Sequence, residues 1–225
     1  MPLRETRIDR TSTVDKVVAA LRDAMFDGVL TPGEQLPEVK LASDLGVARS
    51  TLREALQVLT ADGLAIRLPN RGVAVRQLTV AEVDDIFLAR LVLETEGAHA
   101  AATCSDEALA AVEAAMQGYA GEAAAGKPSS IARAHEGFHA AAVGLTGSER
   151  LAEMERSLMR ETQLAISSID RASDDLPRQI EEHSELYELL RARSVDEAVE
   201  MIKGQLAHAK AFVARYAVDA LSADA

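Results

Sequence analysis

The chain has 225 residues, 48% apolar and 3% aromatic, with 24 Lys+Arg against 36 Asp+Glu for a net charge of −12. That length allows two compact domains of roughly 75 to 150 residues, and scarce aromatics beside abundant alanine favour helix over sheet, because alanine gives up no side-chain entropy in a helix. A membrane-spanning helix and a disulfide framework are excluded: no stretch approaches ~18 uncharged apolar residues, and Cys104 is the single cysteine.

The polar segment Met1–Lys16 has no apolar run behind it, so a cytoplasmic location without a membrane partner is expected. Charge is unevenly divided. Residues 1–78 hold 11 Lys+Arg and 10 Asp+Glu, the remainder 13 and 26. A near-neutral first part can still bind DNA if its arginines share a face, while the acidic second part is repelled by phosphate.

Residues 13–27 place Val14, Val17, Val18, Leu21 and Met25 on one helical face, and Gly28 with Thr31-Pro32-Gly33 ends the run. A short helix is expected over 38–45, with Gly46 behind it as a low-cost left-handed cap. A third is expected over 49–61, with Leu52, Ala55, Leu56 and Leu59 on one face. After Asp62-Gly63 the apolar period falls to about two. Leu64, Ile66 and Leu68 alternate with smaller or charged residues, Pro69-Asn70-Arg71-Gly72 turns the chain, and Val73 and Val75 alternate again, which makes a β-hairpin. Three short helices and a hairpin describe a winged helix-turn-helix over residues 1–78.

Residues 79–225 read as an all-α antiparallel bundle, with helices expected at 79–102, 106–124, 129–145, 148–170, 175–192 and 194–218. Ser105 and Ser194 are expected N-caps, each with an acidic residue in the following turn.

A helix-turn-helix lays its second helix in the major groove, so the first turns of that helix reach base edges. Here the turn is Gly46-Val47, and the next helix opens with Arg49, Ser50, Thr51 and Arg53. Arginine bonds guanine O6 and N7 in pairs, and hydroxyls bond phosphates or bases. The hairpin tip adds Arg67 and Arg71, with Gly72 permitting close backbone approach to a groove. Arginines on a lone helix read as a solvated face; clustering at both places reads as a DNA contact.

In the bundle, helix phase points polar residues inward. Arg90 and Glu94 fall near the centre of the stripe Val83, Ile86, Phe87, Ala98 and Ala101, where charges must be paired or face a cavity. His135 lies on the stripe of Ile131, Phe138 and Leu145, with His139 one turn along; His183 lies among Leu186, Tyr187 and Leu190; Gln205 lies among Ala198, Ile202, Ala209 and Phe212. One inward histidine is ordinarily a hydrogen-bonded core residue. Three from two helices, two of them at i and i+4, suit a shared metal ion.

Residues 14–76 resemble the DNA-binding domain of the GntR family. The match is carried by Leu36-Pro37-Glu38, Leu41-Ala42, Gly46-Val47-Ala48-Arg49, Leu52-Arg53-Glu54-Ala55-Leu56, Asp62-Gly63-Leu64 and Asn70-Arg71-Gly72-Val73. The resemblance implies that Arg49 and Arg53 read bases, that Ser50 and Thr51 position the helix, and that Gly72 sits in the wing's minor-groove contact. Two residues depart from the pattern. Val39 stands where many relatives carry Arg, and Ala48 where they carry Ser, the latter removing an N-cap worth on the order of 1 kcal/mol.

The helical part, roughly 80–218, is similar to the FCD effector domain, in its shorter six-helix form, through Arg90-Leu91-Val92-Leu93-Glu94, Phe138-His139, Glu182-His183 and the final helix. That resemblance implies a divalent ion with a carboxylate-bearing effector beside it. The metal-binding relatives use one Asp and three histidines. Here His135 occupies the Asp position, His139 and His183 match, and Gln205 stands where the last histidine is expected, with His208 one turn beyond as the alternative. Three neutral imidazoles favour Zn or Ni over Mg or Ca. Arg90 is the candidate anchor for an effector carboxylate, against the alternative that it pairs with Glu94 inside the bundle.

The expected function is therefore a transcription regulator, a homodimeric repressor on palindromic double-stranded operator DNA, controlled by a small organic acid or sugar acid. No enzymatic activity is expected; the alternative is the metal itself as signal, and the reading weighed against both is a metal-dependent enzyme with a DNA-binding appendage. No acid paired with a nucleophile stands out, and no catalytic residue is assigned.

Overall fold

The computed structural model describes residues 12–167, 176–215 and 217. Helices α1 (Thr13–Phe26), α2 (Glu38–Asp44) and α3 (Arg49–Ala61) precede a hairpin of β1 (Ala65–Leu68) and β2 (Gly72–Val75). Helices α4 (Val80–Ala100), α5 (Asp106–Ala125), α6 (Pro128–Gly144), α7 (Glu149–Ile166), α8 (Leu176–Arg191) and α9 (Val195–Val213) follow. The protein is mainly α, a winged helix-turn-helix followed by a helical bundle.

Local chemistry sets most boundaries. Ser12 Oγ accepts from the Asp15 amide while the Asp15 carboxylate accepts from the Ser12 amide, a reciprocal cap that starts α1; Thr79 and Glu82 do the same for α4. Gly46 follows α2 at φ +65°, as its position in the sequence predicts. Ser105 caps α5 through the Ala108 amide. Ser194 precedes α9 without a side-chain cap bond, contrary to expectation, because its ψ of 70° departs from the extended geometry that aims Oγ at the first turn. Pro177 lies within α8. The helical continuations expected at 168–170, 175, 216 and 218 lie outside the described residues.

The hairpin pairs Ala65 with Val75, Ile66 with Ala74, Arg67 with Val73 and Leu68 with Gly72. Its inward face differs from the sequence alternation: Leu64 is buried but precedes the strand, Ala65 turns inward, and Ile66 is 44% exposed. The strand is too short for period two to fix its face. The segment before α2 also lies along β2, with the Leu36 amide donating to Val73 O and a bridge between Gln35 and Ala74.

One core gathers Phe26, Leu52, Leu56, Leu59, Leu64 and Val75, and another gathers Val83, Phe87, Val112, Phe138, Leu186 and Ile202. Ala132 of α6 and Leu164 of α7 belong to the first, so the N-terminal elements pack directly on those two helices. Polar contacts reinforce the joint. Asp27 Oδ1 accepts from the Ser129 amide at 2.8 Å, Arg133 pairs with Asp23, and Arg76 bridges Glu82 at 2.7 Å and Glu161 at 2.9 Å. A Cβ on Gly28, where φ is +71°, would lie 2.9 Å from Ser167 O.

Candidate DNA-contacting surface and metal-ligand cluster

Helix α3 buries Leu52, Ala55, Leu56 and Leu59, which turns its opening residues outward. Arg49, Ser50 and Arg53 are exposed and Thr51 is half-buried. Arg53 Nε donates to Glu38 Oε2 at 2.6 Å; an exposed pair of this kind is worth little. Arg67, Arg71 and Gly72 are exposed at the hairpin, with Gly72 at φ +80° and open space where a Cβ would project. Val39 is 60% exposed on α2. Ala48 stands at the start of α3 with no side-chain cap bond.

In the bundle, α6 and α8 bring His135, His139 and His183 together. The Nε2 atoms of His135 and His183 are 2.9 Å apart, and each lies 3.0 Å from Nε2 of His139. The second ring nitrogens set the tautomers. His183 Nδ1 donates to the carbonyl of Gln179, which can only accept, and His139 Nδ1 donates to Glu94 Oε2 at 3.0 Å. With both rings neutral, the two Nε2 atoms would face each other with lone pairs at 3.0 Å, a repulsive contact that a cation between them would relieve. Burial and the neighbouring His139 push His183 down to about 3, and burial with the other two imidazoles and Arg90 holds His135 well below the usual histidine range. Tyr119 stacks on His135 with ring centroids 4.7 Å apart.

Arg90 and Glu94 are both buried, as their phase requires, and they pair at 2.8 Å. Arg90 Nε also reaches Glu155 Oε1 at 3.1 Å. Burial opposes ionisation of Glu94, but His139 and Arg90 more than offset it and draw the carboxyl down to about 2. Burial and the charge of Glu94 push Glu155 up to about 8 against the pull of Arg90, and its Oε2 is buried without a hydrogen-bond partner. Sequence reading missed Glu155, Tyr119 and Gln163. The signal for Glu155 was present, since it lies on the buried stripe of Ala152 and Met159.

The cluster lines a cavity of about 130 Å³. Gln205 lines it too, its Nε2 donating to the carbonyl of Glu182 at 3.0 Å. His208 faces the same cavity, but its Nε2 is taken by Arg178 Nη2 at 3.0 Å, and among the described residues it does not join the three imidazoles. His99 is exposed and lies near Glu96.

Residues 13–75 match the family model described as bacterial regulatory proteins, gntR family, and residues 85–208 match the FCD domain. This chain belongs to the gntR family, in its FCD-containing branch. The Nta operon transcriptional regulator of Aminobacter aminovorans is 33% identical over 180 residues, which cover 79% of this chain and 81% of that relative. A GntR-type regulator crystal structure from Rhodococcus sp. RHA1 is 31% identical with a TM-score of 0.77, over 90% of this chain and 98% of that one. The gluconate operon transcriptional repressor of Bacillus licheniformis is 40% identical over 91 residues, 40% of this chain and 37% of the repressor. Two further curated relatives are matched over 33% and 56% of their own lengths. In this chain the cluster is made of three imidazoles, those of His135, His139 and His183.

Proposed function

We propose that this protein is a homodimeric transcription regulator, a repressor whose affinity for a palindromic operator is set by a small carboxylate bound beside a divalent transition metal. Arg49 and Arg53 read bases, Ser50 and Thr51 fix the helix on the duplex, and Arg67, Arg71 and Gly72 bring the wing to an adjacent groove. In a dimer the two recognition helices engage half-sites about one DNA turn, ~34 Å, apart.

The observation that carries the regulatory half is the triangle of His135, His139 and His183. Two rings have their outer nitrogens committed to Glu94 and Gln179 O, so their lone pairs converge on one point. With the three Nε2 atoms 2.9–3.0 Å apart, these imidazoles would together hold one divalent transition-metal ion, Ni or Zn. Such an ion would supply positive charge that attracts an anion. Charge counting then points to a carboxylate: a divalent ion and Arg90 would outweigh Glu94 and Glu155 even with both carboxylates ionised.

The signal travels through α6 and α7. Helix α6 carries His135 and His139 and also places Ala132 in the core of the winged head; α7 contributes Thr162, Gln163 and Ile166 to the cavity and Leu164 to that same core. Filling the cavity shifts these helices and re-aims the heads, a coupling of about 1–3 kcal/mol.

Elemental analysis of the purified protein tests the metal directly. Stoichiometric Ni or Zn is expected in wild type and in His208→Ala, and none in His183→Ala; metal-free protein whose stability ignores both added ions would sink the proposal. Gel shifts with metal alone, and with metal plus organic acids, distinguish an effector from a metal signal.

A further inference from the structure

We infer that the effector is a carboxylate with a hydrocarbon body, and that polyhydroxylated acids such as sugar acids are rejected; this rests on the carboxylate-beside-metal reading above. The cavity has two unlike sides. Helices α4, α6 and α8 supply only polar groups, namely Arg90, Glu94, the three imidazoles, Arg178, Gln179 and Glu182, whereas every apolar group, Met159, Ile166, Leu206, Ala209, Phe212 and Val213, comes from α7 and α9, beside Thr162, Gln163, Gln205 and His208.

The polar side chains that α7 and α9 do send to the cavity each have one atom bonded within the protein. Thr162 Oγ1 donates to Leu158 O at 2.8 Å, Gln163 Nε2 to Ala132 O at 2.9 Å, and Gln205 Nε2 to Glu182 O at 3.0 Å, while His208 Nε2 accepts from Arg178. Gln163 Oε1, buried and without a partner, offers an acceptor there. A hydroxyl stripped of water without a new partner weakens binding about fivefold or more, whereas each methylene buried against an apolar wall strengthens it about fourfold.

Size agrees with this assignment. A cavity of ~150 Å³ accepts a benzene-sized body, and the one here is about 130 Å³. A body of about four to six carbons fits that space, with its carboxylate directed to the imidazole side.

The test uses the full chain loaded with Ni or Zn and a homologous series of acetate, butyrate and hexanoate, with gluconate as the six-carbon hydroxylated control. Calorimetric titration is expected to show affinity rising about fourfold per methylene until the cavity is full, with gluconate at least tenfold weaker than hexanoate. Phe212→Ala is expected to shrink the hexanoate-to-acetate ratio several-fold while metal content is unchanged. A flat series, or gluconate binding as tightly as hexanoate, overturns the hydrocarbon-body inference and leaves the carboxylate site standing. Failure of every acid to bind metal-loaded protein overturns the carboxylate reading and this inference with it.

Discussion

His139 Nδ1 lies 3.0 Å from Glu94 Oε2, and that contact decides which nitrogen of His139 faces His135 and His183. A carboxylate behind a ligating imidazole fixes its tautomer and raises its basicity. Glu94→Gln keeps the shape but removes the charge, so metal affinity is expected to fall ~10–100-fold. Chelator competition measures it; an affinity unchanged within a factor of two means Glu94 serves Arg90 alone.

Acid sensitivity follows from the same cluster. His183 titrates near 3 in the folded protein instead of at its ordinary 6.5. The unfolded chain therefore binds a proton that the folded chain refuses, so stability rises with pH across that window, at up to ~1.4 kcal/mol per unit for one group, and is lost on acidification below 6.5. Glu155, raised from 4.5 to about 8, pulls oppositely over part of the range, so the comparison is with His183→Gln. Urea unfolding of metal-free protein between about pH 5 and 6.5 should show a steeper fall in wild type than in the variant. Equal slopes refute the assignment.

Arg49 is exposed at the opening of α3. Arg49→Ala is expected to cost about 1–3 kcal/mol of operator binding and to relax the preference at one base position, as read by competition gel shifts against altered operators. A loss shared equally by every sequence would make Arg49 a phosphate contact instead.

The joint between head and bundle offers an uncoupling variant. Asp27→Ala with Glu161→Gln removes the acceptor of the Ser129 amide and one carboxylate of the Arg76 bridge. Metal and effector affinities are expected to stay near wild type, while the effector-dependent change in operator affinity falls from ~5–150-fold toward none. An undiminished response would place the transmission elsewhere.

Most of the architecture was legible because long helices repeat their apolar pattern many times. Phase alone brought His135, His139, His183, Arg90 and Glu94 inward, and all except His135 are buried while that residue is half-buried. Failures came where the deciding partner is distant in sequence. Gln35 meets β2 only through tertiary pairing, and the choice between Gln205 and His208 turns on Arg178 from the neighbouring helix. Ala132 gave no warning of its place in the head's core, since one alanine in an alanine-rich helix carries no phase signal. Glu155 was readable by the argument applied to Arg90, and went unread because α7 is crowded with other charges.

Only Arg76–Thr79 separate β2 from α4, yet Ala132 and Leu164, far along the chain, help fill the space beneath α1. Cutting after the wing would uncover that apolar seam and leave the Ser129 amide without its carboxylate. Chimeras that graft this head onto a foreign body therefore need matching residues at both places, or the graft acquires a sticky, water-exposed underside.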